Sequence, residues 1–190
     1  MRYLVLILLS IVLFACGNNS NFKIDKSKDT VSKKKPLSPH ETTMLMIGDT
    51  HIQIDYSSPG VRGRTVFGDL IPYGELWRAG AHAATSIKIN KDIKIDGKVL
   101  QKGKYAIFII PTKEEWTLIF NSRWDVHGTD KYDKSEDVFR VALSPLPLNN
   151  NQEHLKYKLT KTGMHQGSVE IAWEKTQVQF LINTMAKLDK

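Results

Sequence analysis

Hydrophobic and polar residues alternate along most of the chain beyond residue 42. This period of two is the pattern of a β-strand with one buried face. The first two alternating runs, residues 44–46 and 52–56, are separated by Gly48-Asp49, and a glycine-containing pair of this kind is typical of a hairpin turn. The folded part of the chain is therefore predicted to begin with a β-hairpin.

Further segments continue the alternation, and two others are almost entirely apolar. The alternating segments contain Ile87/Ile89, Ile93/Ile95, Val138/Val141, Leu155/Tyr157/Leu159, Val169/Ile171/Trp173 and Val178/Phe180/Ile182. The apolar runs 105–110 and 116–120 predict central strands covered on both faces. Short pieces near Leu76 and Lys134 are the candidates for helix. Many short strands separated by Gly, Pro and Asn predict an all-β fold, a single-domain antiparallel β-sandwich.

Two long segments depart from this pattern, residues 57–85 and 122–136. Aperiodic connections of this length within a β domain are usually functional, or else they pack against the domain as a structural plug. We therefore expect the functional residues to lie in these two loops.

The first sixteen residues predict an exported lipoprotein. Arg2 precedes an uncharged apolar run, residues 3–14, which is shorter than the roughly 20 residues needed to span a bilayer. The run ends in Leu13-Phe14-Ala15-Cys16, which resembles the bacterial lipobox, although Phe14 is a less usual occupant. This resemblance implies removal of a signal peptide, residues 1–15, and a diacylglycerol thioether on Cys16. The alternatives are an ordinary signal peptide or a membrane anchor with a bystander cysteine.

Residues 16–40 are predicted to be the lipidated cysteine and a flexible polar tether, and residues 41–190 the β-sandwich domain. The tether contains Lys33-Lys34-Lys35, which we interpret as a solubilising spacer, with contact to anionic lipid as the alternative. We expect a lipid-anchored protein of the bacterial cell envelope. The absence of an obvious acidic tag after Gly17 favours the periplasm-facing side over the cell surface.

The charge distribution argues against nucleic-acid binding. The formal net charge is +7, but the first 40 residues hold seven Lys and Arg residues against two Asp, so residues 41–190 carry only +2. A basic groove does not follow from that balance, and export separates the protein from the genome. Cys16 is the single cysteine, so its lipidation leaves no thiol for a disulfide, a metal or a nucleophile.

Motifs in the two irregular loops and beyond resemble the DUF2911 family. The matching strings are Gly63-Arg64, Phe67-Gly68-Asp69-Leu70, Pro72-Tyr73-Gly74, Trp77-Arg78-Ala79-Gly80-Ala81, Lys102-Gly103-Lys104-Tyr105, Trp116, Asn121, Trp124, Gly128, Tyr132, Val138-Phe139-Arg140-Val141 and Trp173-Glu174. The resemblance covers roughly residues 42 to 184. It implies exported, often lipidated proteins, found chiefly in Bacteroidota, with a β-sandwich fold and no established function. His82 stands where the family pattern usually has Asn.

Three arginines, Arg62, Arg64 and Arg78, lie in the first irregular segment together with Trp77 and His82. Guanidinium groups bind carboxylate or phosphate in a bidentate manner and stack on aromatic rings. One interpretation is a pocket for an anionic ligand or a polypeptide C-terminus, with these five as candidate ligand-binding residues. The alternative is that the arginines tie the long loop to the sandwich, by bonding unpaired carbonyls and pairing with acidic neighbours, Asp69 or Glu75.

Enzyme and metal signals are weak. Neither a nucleophile elbow nor a phosphate-binding loop is present, and the sequence assigns no catalytic residue, no metal ligand and no cofactor. The Asp and His residues of the second segment fit the spacing of a calcium loop poorly, which favours a solvated loop whose Asp side chains bond backbone amides. The histidines lack the close pairing of a zinc site.

The sequence therefore favours a binding or envelope-interaction module. Its expected partners are the membrane, through the lipid anchor, and an anionic small molecule or an envelope protein. One alternative is a hydrolase that uses Asp69, Glu75 and His82. In that case Arg64 and Arg78 would hold its anionic substrate. Another is a structural spacer without a ligand, which would lack a concave pocket lined by the arginines.

Lipidation of Cys16 is directly testable. Cells expressing the protein and fed a clickable fatty acid are expected to label it, because the acyl chains would be covalently bound at this residue. Cys16→Ser should lose the label. Undiminished labelling of Cys16→Ser, or no label on the wild-type protein, would contradict the prediction.

Overall fold

The computed structural model describes residues 36–185. The predicted signal peptide, Cys16 and the predicted tether as far as residue 35 lie outside the described residues. The strands are β1 His40–Ile47, β2 Thr50–Ser57, β3 Thr85–Ile89, β4 Ile93–Ile95, β5 Lys98–Leu100, β6 Gly103–Ile110, β7 Trp116–Asn121, β8 Asp137–Leu143, β9 Leu146–Lys161 and β10 Gln166–Thr184.

The strands form two antiparallel sheets. Six strands follow the order β1-β2-β3-β6-β7-β8 and four follow the order β5-β4-β10-β9. The predicted opening hairpin is confirmed, since β1 and β2 pair with Ile47 opposite Thr50 across Gly48-Asp49. The all-β sandwich predicted from the alternation is confirmed as well.

The main core is formed by inward-facing side chains of both sheets. Its buried members from the six-stranded sheet include Ile52, Ile54, Ile87, Ile107, Leu118 and Phe120, and those from the four-stranded sheet include Ile93, Ile95, Val169, Ile171, Val178 and Ile182. Phe120 of β7 meets Phe180 of β10 edge to face, with ring centroids 5.9 Å apart. Each buried aliphatic side chain stabilises the fold by about 1.5–3 kcal/mol. The inward-facing residues of the alternating strands therefore contribute most of the packing energy.

The strands β6 and β7 are covered on both faces, as their continuous apolar sequences predict. Ala106, Phe108 and Ile119 belong to a second buried cluster. The irregular segment 122–136 contributes Val126 and Tyr132 to this cluster, and Tyr132 meets Phe108 edge to face at 5.0 Å. This segment therefore serves as an apolar cover for the second face of β6 and β7.

One partly buried carboxylate holds the covering segment in place. Asp137 accepts hydrogen bonds from Tyr132 Oη at 2.7 Å, from Arg140 Nε at 2.9 Å and from Asn121 Nδ2 at 2.9 Å. Arg140 Nη2 also donates to Tyr132 Oη at 2.9 Å. All of these groups satisfy one another, so the network is structural.

Strand β10 spans 19 residues, and its alternation changes phase within them. Core residues occupy odd positions from Val169 to Trp173 and even positions from Val178 to Ile182. The change occurs where Glu174 adopts a φ of 56° and the pairing with β9 shifts register on either side. Across these shifts β10 advances from Ala172 to Thr176 while β9 advances from Lys156 to Pro147, so the extra residues lie in β9. The two alternating runs of the sequence belong to one strand whose side chains change sides near Glu174.

Helical structure in residues 36–185 is confined to the 3-10 turn Lys134–Glu136, and the backbone near Leu76 is irregular instead. Asp133 Oδ1 accepts from the Ser135 amide at 2.9 Å, the kind of contact predicted for the Asp residues of this loop. Within the described range, no helix combines the length and apolar character needed to cross a membrane.

The Tyr132 network predicts alkaline sensitivity. Burial, together with the hydrogen bond to Asp137, raises the pKa of Tyr132 to about 12. The folded state holds this proton more tightly than an unfolded chain, whose tyrosine pKa is about 10, so the contribution is complete below pH 10 and is lost as the pH rises toward 12. Denaturant unfolding followed by Trp fluorescence should show a shallower loss of stability over this range in Tyr132→Phe than in the wild type. Equal slopes would contradict this assignment.

Candidate functional site

The first irregular segment is packed into the main core. Phe67 contacts three indole rings, with centroid distances of 5.8 Å to Trp77, 4.5 Å to Trp116 and 6.0 Å to Trp173. Trp77 and Trp173 are themselves stacked, 5.7 Å apart with an interplanar angle of 24°. The loop is thus anchored by aromatic side chains, and its polar residues remain at the surface above them.

Trp77 is an anchor of this loop. It is buried, with 2% of its surface exposed, and it exchanges two backbone hydrogen bonds of 2.8 Å with Ile109 of β6. Its indole N–H donates to the Gly80 carbonyl at 3.1 Å. A Cβ on Gly80 would lie 2.7 Å from Thr85 Oγ1, so the turn that follows Trp77 requires glycine there.

The residue after Arg78 fixes the position of the turn. Ala79 adopts a φ of 50°, and its carbonyl accepts hydrogen bonds from Thr85 Oγ1 and from Tyr157 Oη, each at 2.8 Å. Burial raises the pKa of Tyr157, so its hydroxyl remains a donor to this carbonyl. The Arg78 carbonyl in turn accepts from the Thr85 amide at 3.1 Å. Arg78 is therefore held at a defined point of the loop.

A concave cavity of about 600 Å³ lies at the surface of this loop. It brings together Arg62, Arg64, Arg78 and His82, four of the five residues predicted from the sequence to bind a ligand. Trp77, the fifth, lies in the core and does not line it, and the indole in the wall is that of Trp173. The other lining residues are Pro36, Leu37, Ser38, Pro59, Leu70, Ile71, Gly80 and Ala81. We call this space the arginine cavity.

Two of the three arginines are engaged in holding the loop. Arg64 donates from Nε to the Val61 carbonyl at 3.0 Å and from Nη2 to the Gly60 carbonyl at 2.8 Å. Arg62 donates from Nη2 to the Leu37 carbonyl. These contacts are the structural ties considered for the arginines, so part of their role is to satisfy backbone carbonyls.

Arg78 differs from the other two. Its Nε is buried and has no hydrogen-bond partner, and the same is true of Trp173 Nε1; these are the buried side-chain nitrogens left without a partner within residues 36–185. Burial lowers the pKa of Arg78, and the charge of Asp130 acts in the opposite direction. The indoles of Trp77 and Trp116, by contrast, donate to carbonyls at 3.1 Å. Both unpartnered donors belong to residues that line the arginine cavity.

Backbone strain is concentrated around the same cavity. The non-glycine residues with positive φ in the described part of the chain are Arg62 (52°), Ala79 (50°), His82 (60°), Glu174 (56°) and, in the β4–β5 turn, Asp96 (49°). Arg62 and His82 line the cavity, Ala79 follows Arg78, and Glu174 follows Trp173. Such conformations cost about 1–3 kcal/mol each and collect at functional sites.

The acidic residues of the hydrolase alternative lie elsewhere. Asp69 and Glu75 are exposed and are not among the residues that line the cavity, whereas His82 is. Neither carboxylate forms an ion pair with Arg62, Arg64 or Arg78 in the described structure. Within residues 36–185, no group of three or more His, Cys, Asp or Glu residues is arranged to hold a metal ion.

The second irregular segment contributes a different surface. Lys104 Nζ lies 3.9 Å from the centroid of the Trp124 ring, a cation–π contact, and Trp124 is 41% exposed. The segment joins the first loop through the Gly128 amide, which donates to the His82 carbonyl at 3.1 Å. It therefore supports the backbone of one residue of the arginine cavity.

Trp173 is the hydrogen-bond donor of the cavity that was not predicted from the sequence, and the apolar wall residues Leu37, Leu70 and Ile71 were not predicted either. Trp173 lies on β10, within an alternating run that predicts a buried face, and it is 2% exposed. The available signal was the phase change between residues 173 and 178, which marks an irregularity of the strand beside this tryptophan. Nothing in the local sequence indicates that its N–H is left unpaired.

Comparison with known proteins gives a family but no function. The family model described as "Protein of unknown function (DUF2911)" matches residues 38–182. No curated protein and no solved structure matches the chain.

The different roles of Arg64 and Arg78 predict different effects of their substitution on stability. Arg64→Met removes two hydrogen bonds to loop carbonyls and should lower the free energy of unfolding by about 1–2 kcal/mol. Arg78→Met keeps an apolar stem but removes an unpartnered buried N–H, so it should leave that free energy unchanged or raise it. Denaturant unfolding of the two variants measures this directly. An equal loss in both would mean that Arg78 is also a structural tie.

Proposed function

The chain belongs to the DUF2911 family, whose function is unknown, and from this premise we propose that the domain is a binding module whose arginine cavity holds an anionic ligand. Arg78 supplies the charge, and Trp173 supplies a second N–H donor. Arg62, Arg64 and His82 shape the surrounding wall. The observation that carries the proposal is the pair of unpartnered buried donors on two residues of one cavity.

A buried donor without a partner costs about 1–3 kcal/mol, and a charged one costs more. Proteins satisfy nearly all such groups, so two of them at one cavity are unusual. An anion whose oxygens accept from both would recover that cost on binding. The charge-assisted hydrogen bond to a guanidinium is roughly twice as strong as a neutral one.

The loop around the cavity has the rigidity that such binding needs. Ala79 is held by Thr85 and Tyr157, and Trp77 is paired with Ile109 and stacked on Trp173. Because these contacts position Arg78 in advance, little conformational entropy remains to be lost when a ligand binds.

The alternatives are less well supported. A spacer without a ligand has no need of a cavity lined by three arginines with a partnerless guanidinium N–H. A hydrolase needs acid and base groups within reach of one substrate atom, and Asp69 and Glu75 do not line the cavity that holds His82. We therefore favour binding over catalysis.

We propose that the domain functions in the bacterial cell envelope. The support is the resemblance of residues 13–16 to a lipobox, which would moor the domain to a membrane through Cys16. The ligand would then be an extracytoplasmic anion, either a small molecule or an anionic group of an envelope protein.

The proposal is testable through the Trp173 indole signal. Full-length protein labelled with ¹⁵N is titrated with acetate and, separately, with inorganic phosphate, and Trp173→Phe assigns the resonance among the four indoles. We expect a saturable shift of the Trp173 N–H with at least one of these anions, because its donor gains an acceptor. Arg78→Met should abolish the shift.

Arg123→Met is the matched control for this experiment. It removes the same charge from an exposed position outside the cavity, so it should leave the titration unchanged. A Trp173 signal that responds to neither anion, or a shift that persists in Arg78→Met, would contradict anion binding at this site.

A further inference from the structure

The wall of the arginine cavity is largely apolar. Leu37, Leu70 and Ile71 line it, and Pro36 and Pro59 extend the same surface. Leu37 is 69% exposed and Leu70 is 39% exposed, so their side chains have surface left to bury. An inorganic anion would leave this surface in contact with water, whereas an apolar group carried by the anion would cover it.

The cavity has little positive charge that is not already engaged with the protein itself. Arg64 uses Nε and Nη2 on the carbonyls of Val61 and Gly60, and Arg62 uses Nη2 on that of Leu37. Among the three arginines of the cavity, Arg78 is the one whose guanidinium makes no hydrogen bond within the described residues, and Asp130 contributes an opposing charge. One largely uncommitted guanidinium with a neutral indole N–H matches a monoanion with two acceptor oxygens better than it matches a phosphate dianion.

We infer that the ligand class is an organic monocarboxylate carrying an apolar group, with its carboxylate at Arg78 and Trp173 and its apolar group against Leu37, Leu70 and Ile71. This inference rests on the proposed function, and it adds which class of anion the cavity prefers. Two sources share this chemistry, a free carboxylic acid with a short hydrocarbon chain and the C-terminus of a polypeptide that ends in an apolar residue.

The preference is measured with the full-length protein and the Trp173 indole signal. The probes are acetate, butanoate, hexanoate and inorganic phosphate, with hexanamide as the uncharged control. Each buried CH₂ tightens binding by at most about fourfold, so we expect hexanoate to bind at least about tenfold more tightly than acetate. Hexanamide should cause no comparable shift, because it lacks the anionic charge.

Substitutions in the apolar wall distinguish a loss of hydrophobic contact with the ligand from a general loss of folding. Leu70→Ser should remove most of the gain from acetate to hexanoate, since Leu70 lines the cavity and is 39% exposed, with apolar surface left to bury. Leu181→Ser, at a position 47% exposed and outside the cavity, is the matched control and should keep the full gain.

The outcomes distinguish the two levels of the proposal. If acetate or phosphate shifts the signal but hexanoate binds no more tightly, the carboxylate preference is wrong and anion binding stands. Phosphate binding more tightly than hexanoate has the same meaning. If no anion shifts the signal, the proposed function itself fails. N-acetylleucine binding more tightly than hexanoate would identify a polypeptide C-terminus as the source, and the reverse order would identify a free acid.

Discussion

The stacking of Trp77 on Trp173 is the contact on which the rest of the site depends. It joins a loop between β2 and β3 to a strand of the opposite sheet, and Phe67 contacts both indoles as well as that of Trp116. Large aromatic surfaces buried in this way contribute several kcal/mol, far more than a surface loop needs to remain ordered. The polar residues between these anchors are consequently held in fixed positions without taking part in the core.

This arrangement places two opposing requirements in one region. The core benefits from burying Trp173, yet its indole N–H lies where no carbonyl accepts it. The loop gains rigidity from Ala79, yet it holds left-handed backbone at Ala79 and at His82. Each of these features lowers stability, and the aromatic cluster beneath them supplies the compensating packing energy. Destabilising features that collect at one cavity are the pattern expected where function, and not stability, determines which residues are present.

Sequence patterns predicted most of the fold because alternation is a direct consequence of a strand with one buried face. The continuous runs of β6 and β7 also revealed their two-sided burial, which segment 122–136 completes. The site was only partly predictable. Arg62, Arg64 and Arg78 lie close together in the chain, but their different hydrogen-bond partners depend on the local backbone path. Trp173 joins them through the sandwich topology, and no spacing rule connects residues so far apart in the chain.

The change of phase at Glu174 carries a consequence for how the length of β10 can vary. Upstream of it β10 presents odd-numbered residues to the interior, and downstream it presents even-numbered ones. Loss of one residue within 178–182 would exchange the interior and exterior sides of everything beyond it. Loss of one residue at Glu174 would instead join the two runs into a single alternation, with Val178, Phe180 and Ile182 still facing the interior. A change of one residue is therefore expected to be accommodated at this point of the strand and not within the regular runs on either side.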